Sequence, residues 1–442
     1  MLTIFTVVAI GIVLFCCLNL VESQNVSIAR CQTWHACIPV LEAGIEEAMA
    51  HLNNPASTNL VSNGWSFNRG LSTYTQERSF GDKPGDSYYS VSITLTNALE
   101  PVITSSGYVR VPLAKGASGG AAVGFPPPGI LKNEYLSRSV RVLAKKTPLY
   151  VKAMAARERI TMNGNNITTD SFDSRDPNYS TFDGHYDPTK IKDNGDVSTA
   201  SGLTNMLSAG NANIKGRLRT GPGGTTTIGS NGKVGSLAWH ASNSTGVEPG
   251  WLFHDVNMTF SPVQAPFKSA PSPSQGTLNG VSYNYVLGST NYEVPTINLS
   301  GGDKIAVVGN AVLLVDGDVS ISGTAEVDII PPGSLTMYVA GANASIAGVG
   351  INNTGWATNF MYYGLPSNKN LTMQSNGEFT GSIYAPDTDL RMSGGGSGIM
   401  NFIGACIMKN ITVNGHYNFH YDEALGKYGP KGTFVIVNWV EL

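Results

Sequence analysis

The chain opens with an uninterrupted apolar stretch, Met1 to Val21, that contains no charged side chain. Its length is about that needed to cross the hydrocarbon core of a bilayer, so the pattern predicts a membrane anchor. A cleaved signal peptide is the alternative, but no basic residue precedes the stretch and no small-residue cleavage site follows it. We therefore expect the stretch to be retained.

Behind this stretch the apolar positions change to a helical spacing. They recur three or four residues apart and form a stripe of Trp34, Ile38, Leu41 and Ile45. No loop separates the stripe from the anchor, and the sequence "NNP" ends the pattern after Leu52. The sequence thus predicts one helix from the first residues to about Asn53. Because a small head can cover only part of so long a helix, we expect the stripe to bind a partner protein.

From Trp65 to about Lys146, short runs of alternating apolar and polar residues are separated by turns. In "SYYSVSITL", for example, Tyr89, Val91 and Ile93 alternate with Ser, as in a strand with one buried face. Similar runs are "YTQERSF", "PVITSSGYVRV" and "LSRSVRVLAKK". We predict a small antiparallel sheet over residues 55–147, with an exposed Gly/Ala/Pro loop from Ala114 to Gly129.

Beyond residue 147 one motif recurs, in which an apolar-polar-apolar triplet is followed by a turn residue and Gly. The clear copies are "ARERITMNG", "VDGDVSISG" and "IMKNITVNG", and the looser ones are "ASIAG", "LTMQSNG" and "LRMSG". From Val319 to Ile411 the copies lie roughly 19 to 27 residues apart, which is the period of a solenoid. We therefore predict a parallel β-helix over residues 148–425, in preference to a β-sandwich, whose strands are longer.

The rungs of this β-helix would point alternate side chains inward. The inward candidates are Val319, Ile321, Leu335, Met337, Val339, Ile346, Met373, Ile383, Leu390, Met392, Ile407, Ile411 and Val413. An Asp/Asn/Gly/Tyr-rich insertion at 170–198 and a Pro-rich loop or strap at 261–276 interrupt the array. Residues 426–442 form a last strand that either returns to the head sheet or caps the array.

The predicted fold class is thus mainly β, with a long pilin-like α-helix over 1–54, a small antiparallel sheet and a parallel β-helix. Two segments carry a family resemblance. "RCQTWHACIPVLEAGIEEAMAHLN", directly behind the apolar start, resembles the N-terminal region of PilX-type, minor-pilin-like pilus assembly proteins. "VNGHYNFHYDEAL" ends a region that resembles the β-solenoid domain of the same proteins.

This resemblance implies a non-enzymatic role in type IV pilus assembly. It also implies a single-pass protein of the bacterial inner membrane with its bulk in the periplasm or at the cell surface, and other pilin-like subunits or the assembly machinery as partners. Unlike pilins, the sequence has no basic leader ending in Gly before the apolar run and no Glu near its start. Processing by a prepilin peptidase is therefore expected only for a chain that starts upstream of Met1.

Composition narrows the remaining function classes. Only 13% of residues are charged and the net charge is -3, which argues against binding to nucleic acid. No His-Glu-x-x-His zinc motif and no Walker-type phosphate loop occurs. We expect no catalytic residue and no cofactor.

Two carboxylate pairs keep an enzymatic alternative open. Asp316 with Asp318, and Asp387 with Asp389, each lie on one face of a strand, as in β-helix enzymes that cleave polysaccharides. Asp at a solvated coil corner is the simpler interpretation. A surface adhesin or glycan-binding solenoid, using exposed aromatic and Asn side chains, is the other alternative.

The 170–198 insertion offers weak calcium candidates. Asp193, Asn194 and Asp196 supply the oxygen ligands that Ca²⁺ prefers, although Asx-turns account for the same residues without a metal. His416 and His420 flank aromatic residues near the end of the array, where we expect packing and hydrogen bonding rather than metal binding.

Overall fold

The computed structural model describes two compact units, one formed by residues 1–147 with 433–442 and the other by residues 148–432. The described residues are 2–54, 60–80, 87–111, 135–164, 166–375, 378–394 and 400–442. The predicted fold class is confirmed, since the chain is mainly β with one long N-terminal helix, an antiparallel sheet and a large parallel sheet.

The first unit, here called the head unit, combines the N-terminal helix with a six-stranded sheet. Helix α1 (Leu2–Asn53) runs without a break through Pro39, which confirms the predicted continuous helix. The four predicted runs form strands, and a short strand and the C-terminal strand join them at the two edges. In sheet order the strands are β1 (Ser66–Asn68), β2 (Thr73–Phe80), β3 (Ser87–Thr94), β4 (Val102–Arg110), β5 (Tyr135–Pro148) and β32 (Lys431–Glu441). The predicted Gly/Pro loop at 114–129 lies outside the described residues.

The C-terminal segment therefore returns to the head sheet. Thr147 Oγ1 donates to Thr433 O at 3.1 Å, and Arg138 pairs with Glu441 near the other end of β32. These contacts make β5 and β32 antiparallel neighbours. The whole second unit is inserted in the chain between two paired strands of one sheet.

The second unit, here called the β-helix unit, is built almost entirely from short parallel strands. Among the described residues, short helical segments interrupt them at α2 (Leu237–Ala241), α3 (Ala424–Tyr428) and a 3₁₀ turn at Ala357–Asn359. The strands before the Pro-rich segment are β6 (Met154–Asn163), β7 (Thr168–Phe172), β8 (Val197–Thr199), β9 (Leu207–Gly210), β10 (Asn213–Lys215), β11 (Leu218–Arg219), β12 (Thr226–Ile228), β13 (Lys233–Gly235), β14 (Gly246–Val247) and β15 (Leu252–Phe253).

The strands after the Pro-rich segment continue in the same style. They are β16 (Ser274–Leu278), β17 (Val281–Leu287), β18 (Asn291–Val294), β19 (Ile297–Leu299), β20 (Lys304–Val307), β21 (Asn310–Val315), β22 (Val319–Ile321), β23 (Glu326–Ile329), β24 (Ser334–Val339), β25 (Asn343–Gly348), β26 (Gly350–Asn353), β27 (Phe360–Gly364), β28 (Asn370–Ser375), β29 (Phe379–Gly394), β30 (Met400–Gly415) and β31 (Tyr417–Asp422). Each coil returns the chain beside the previous coil, one strand spacing of about 4.8 Å further along the axis.

The copies of the sequence motif stack directly on one another. Counting from the first apolar residue of each triplet, the register runs Val319, Ala344, Leu371, Leu390, Ile411 and Ile160. Alternate side chains of these strands enter one apolar core. The motif therefore marks one column of rungs, as the repeat predicted.

The order of the coils along the axis differs from the order of the chain. One column runs β18, β21, β24, β27, β29, β30, β6, β8, β11 and β15, so the chain enters in the middle at β6. It winds out to one end at β15, crosses to the other end, and winds back until β30 pairs with β6. The array is thus a circular permutation of a simple coil.

The Pro-rich segment is the strap that makes this crossing. Val256 N donates to Thr220 O at 3.0 Å at one end, and Ala270 N donates to Glu293 Oε2 at 2.8 Å at the other. Between them, Ser261 O accepts from the Tyr384 hydroxyl at 2.8 Å. Twenty extended residues, 254–273, reach about 65 Å, more than the roughly 45 Å height of ten rungs.

One inward prediction is wrong. Ile407 is buried, but it belongs to a second cluster with Tyr384, Tyr421 and the strap residue Val263, on the outer face of the coil. Its neighbours Cys406 and Met408 point into the main core instead. The alternation of the strand is therefore one position out of phase with the prediction at this rung. The other twelve predicted inward side chains lie in the main core.

Candidate membrane and partner interface

The N-terminal part of α1 has no protein covering it in the described chain. Residues 4–28 are all exposed, and they include twelve large apolar side chains between Ile4 and Val21. By length and composition, this part of α1 is apolar enough to cross a membrane.

The predicted stripe divides between two environments. Leu41 and Ile45 are only 1% and 3% exposed, because they pack against the head sheet with Ile93 and Ile103. This burial removes Leu41 and Ile45 from the predicted partner surface. The sheet covers them because it packs over the C-terminal part of α1, a docking that the stripe alone did not specify.

The upper end of the stripe remains accessible. Trp34 is 44% exposed, and the guanidinium of Arg138 lies 5.2 Å from the centre of its ring. Ile38 is half-buried at the rim of the sheet. Above them, Val26 and Ile28 are exposed. Exposed apolar side chains of α1 therefore occur as far along the helix as Trp34, among polar residues.

Two glycines let the sheet approach the helix backbone. A Cβ on Gly107 of β4 would lie 2.5 Å from Cys37 O and 2.7 Å from Leu41 N, and one on Gly44 of α1 would lie 2.5 Å from Ser105 Oγ. The same closeness allows Ser105 Oγ to donate to Leu41 O at 2.8 Å in a buried position. Nothing larger than hydrogen fits at these crossings.

A polar network fixes the same helix at its edge. Arg78 Nε donates to Glu47 Oε1 at 2.6 Å, and the Tyr89 hydroxyl donates to the other oxygen of Glu47. Burial, reinforced by this bond to Glu47, raises the pKa of Tyr89, so the phenol stays protonated at neutral pH. The contact holds the helix face that carries Leu41 and Ile45 against the sheet.

Replacing Gly107 with Ala is expected to destabilise the head unit by about 1–3 kcal/mol, because the added methyl forces the sheet away from α1. Gly70→Ala is the control in the same unit, since its Cβ would lie no closer than 3.5 Å to any neighbour. Thermal unfolding of the full-length chain in detergent measures both. Equal shifts for the two variants would contradict the close approach.

Asp318 and Asp389, one member of each carboxylate pair considered for catalysis, are hydrogen-bonded to Asn side chains. Asp318 accepts from both the main chain and the amide of Asn343, while Asp389 accepts from the Asn410 amide at 2.7 Å. They stand in one column, three rungs and therefore roughly 14 Å apart, which exceeds the spacing of a glycosidase pair. These side chains form a hydrogen-bonded ladder along a coil corner.

The other member of each pair has a different partner. Asp387 forms an ion pair with Arg157 at 2.6 Å. Burial and a hydrogen bond with Glu293 raise the pKa of Asp316.

The calcium candidates also bond within the protein, each to a different partner. Asp193 accepts from Leu237 N at 3.2 Å, Asn194 donates to Glu423, and Asp196 accepts from Arg217 N at 2.8 Å. In the described part of the chain, no three His, Cys, Asp or Glu side chains form a group able to hold a metal. The geometry gives the calcium hypothesis no support.

His420 packs and hydrogen bonds, as predicted. Its ring is buried, Nδ1 lies 2.6 Å from Asp170 Oδ1, and Tyr186 stacks on it with centres 3.6 Å apart. His416 lies 2.8 Å from the Asn166 amide. The sequence pattern did not indicate that Asp170, the first residue of the 170–198 insertion, would pair with His420.

Comparisons with known proteins give limited matches. A family model described as a domain of unknown function (DUF7305) matches residues 289–428, the coils that run from one end of the β-helix to its middle. The crystal structure of the competence-associated pilin ComZ from Thermus thermophilus matches with 12% identity and a TM-score of 0.31, covering 92% of this chain and 96% of that one. No curated protein matches the chain.

Proposed function

We propose that this chain is a non-enzymatic, membrane-anchored structural protein of minor-pilin (PilX-like) type that carries a β-helix outside the cytoplasm. The observation that supports the proposal most is the contrast along α1. Residues 4–28 are exposed and largely apolar, whereas Leu41 and Ile45 are buried in the core of the head unit. One helix thus joins an apolar stretch that no part of the described protein covers to a stretch that packs against the head sheet.

Water is an unfavourable environment for the exposed half. Twelve large apolar side chains on consecutive turns of α1 would remain exposed to water in solution. The free-energy cost of this exposure grows with their apolar surface area. A bilayer removes that area from water over the length of the stretch. In the proposed state, Met1 to Val21 spans the membrane and the chain that follows it lies outside the cytoplasm.

The chain connectivity supports a role in carrying the β-helix. Residues 148–432 enter and leave through β5 and β32, which are paired neighbours in the head sheet. An insertion at that point leaves the helix–sheet core of the head unit intact. The head unit would then carry the β-helix unit and display it outside the cytoplasm.

The surface proposed to contact other pilin-like helices is the part of α1 beyond the membrane that the head sheet leaves open. It consists of Val26, Ile28 and Trp34, with the rim residue Ile38. Leu41 and Ile45 contribute to the contact only indirectly, by fixing α1 on its sheet.

Photocrosslinking from native membranes tests this proposal. A photoreactive residue at Ile28 is expected to capture small membrane proteins with an N-terminal apolar helix. The same group at Val349, an exposed valine of the β-helix unit, is the control and should capture none of them. Equal capture at both positions, or none at Ile28, would contradict a pilin-like partner contact.

A second candidate function is adhesion, and one observation favours it. Phe182 is 99% exposed at the tip of a loop whose ends are held by bonds from Thr181 to Asp183 and His185. The ring of Phe182 is therefore available to pack against a ligand. Specific retention on a glycan array that Phe182→Ser abolishes, together with no partner at Ile28, would favour this candidate over pilus assembly.

A further inference from the structure

We propose that the C-terminal strand β32 is a pairing edge through which two copies of this chain associate. β32 is the outermost strand of the head sheet on the β5 side. In the part of the chain that the structure describes, no strand pairs with its outer side. An open edge of this kind offers a row of main-chain donors and acceptors to another strand.

The composition of β32 makes it an unprotected edge. Residues 432–440 contain no charged residue and no proline, although charges, prolines, bulges or short length protect most natural edge strands. Five apolar side chains on its two faces are 39–51% exposed: Val435, Ile436, Val437, Trp439 and Val440. The opposite edge of the sheet, β1, is only three residues long.

A cap at one end defines how much of the edge is free. The Asn53 amide at the end of α1 donates to Phe434 O at 3.0 Å, and its oxygen accepts from Phe434 N at 2.6 Å. Asn53 thus takes the place of a neighbouring strand at Phe434. At the other end of the strand, Leu442 N donates to Ser139 O of β5 at 3.0 Å, so the pairing with β5 extends to the last residue. The free edge runs from Val435 to Glu441, and its midpoint is Asn438.

A second copy fits this free edge because the edge is self-complementary. Antiparallel pairing over its whole length places Asn438 opposite Asn438 of the second copy, where each amide can donate to the other. Ile436 then lies opposite Val440, and Val437 opposite Trp439, so apolar side chains meet on both faces. Glu441, the one charge in the segment, is already paired with Arg138. The twofold arrangement is isologous and closed, so it yields a dimer rather than a fibre.

Disulfide trapping of the full-length chain in detergent tests the pairing and its register together. The exposed Cys16, Cys17 and Cys31 are first replaced with Ser, while the buried Cys37 and Cys406 are kept. Mild oxidation is expected to convert most Asn438→Cys protein to a covalent dimer, because directly opposed Cα atoms of antiparallel strands lie about 4.5–5.5 Å apart, within the reach of a disulfide. Ile436→Cys alone should stay monomeric, whereas a mixture of Ile436→Cys and Val440→Cys should crosslink. No dimer from Asn438→Cys, or equal yields from all single variants, would overturn the proposal.

A charge placed on the edge distinguishes contact at β32 from association of the exposed α1 helices in detergent. In the Asn438→Cys background, Val437→Lys is expected to lower the crosslinking rate at least about tenfold, because a lysine on an edge strand disfavours the addition of another strand. Val349→Lys places the same charge on an exposed valine of the β-helix unit and should leave the rate unchanged. Unchanged crosslinking with Val437→Lys would show that the copies do not meet at β32.

Discussion

Replacing Ile321 with Asp is expected to destabilise the β-helix unit by about 4 kcal/mol or more. Ile321 is fully buried in β22, and its neighbours on the adjacent rungs are Leu299 and Ile346. An aspartate there would lose its water and find only apolar side chains around it. Thermal unfolding of the full-length protein, followed by the loss of β-sheet circular dichroism, measures the effect.

Ser320→Asp provides the matched control one residue away. Ser320 is exposed, and its rung neighbours Asn298 and Ser345 are polar, so the same carboxylate stays hydrated. Its expected effect is within about 0.5 kcal/mol. Similar melting temperatures for the two variants would mean that β22 presents the opposite face to the core.

The sequence was sufficient to predict this part of the fold because the repeat carries its own register. Each copy ends in the same apolar-polar-apolar triplet and turn, so side chains such as Ile321 and Met373 could be assigned to the core without knowing the path of the chain. The phase is lost where the pairing within a rung is irregular. Ile407 shows the consequence, because β30 continues through two columns and irregular pairing between Met408 and Asn410 shifts its alternation.

The order of the coils could not be predicted from the repeat. Stacking β30 on β6 requires two segments more than 240 residues apart to meet. The inward apolar side chains of different rungs are similar, so they do not determine which rungs become neighbours. The repeat period is local, whereas the permutation is decided by how the ends and the strap pack. The Pro-rich composition at 261–276 indicated a segment that does not join the sheet, but not that it connects opposite ends.

The candidate interface was predictable in outline and not in detail. Helical spacing identified the face that includes Trp34, Ile38, Leu41 and Ile45, but periodicity alone does not distinguish a core face from a partner face. The distinction lies in Gly44, Gly107 and Ser105, whose small size lets the sheet reach the helix backbone. Small residues give no signal until the two elements are seen together.

Two arginines in the middle of the apolar stretch are expected to release the protein from membranes. Ile10→Arg with Leu14→Arg places both charges near the centre of Met1 to Val21, and each costs about 2.5–3.5 kcal/mol at the centre of a spanning helix. The proposed anchor should then fail to integrate, moving the protein from the carbonate-resistant membrane fraction to the soluble one. Because residues 4–28 are exposed and contribute to neither core, the melting temperature of the released protein should remain that of the unmodified chain.

The control for this prediction keeps the added charge and moves it out of the apolar stretch. Ser23→Arg with Ser27→Arg lies beyond Val21 on the same exposed part of α1, where arginine stays in water or at the headgroups. This variant should remain with the membranes. Two results would contradict the anchor. One is a double arginine variant that stays with the membranes, and the other is an intact-protein mass showing that the unmodified protein begins near Gln24. The second result would identify the stretch as a cleaved signal peptide, because a retained helix must still carry Met1 to Val21 in the mature protein.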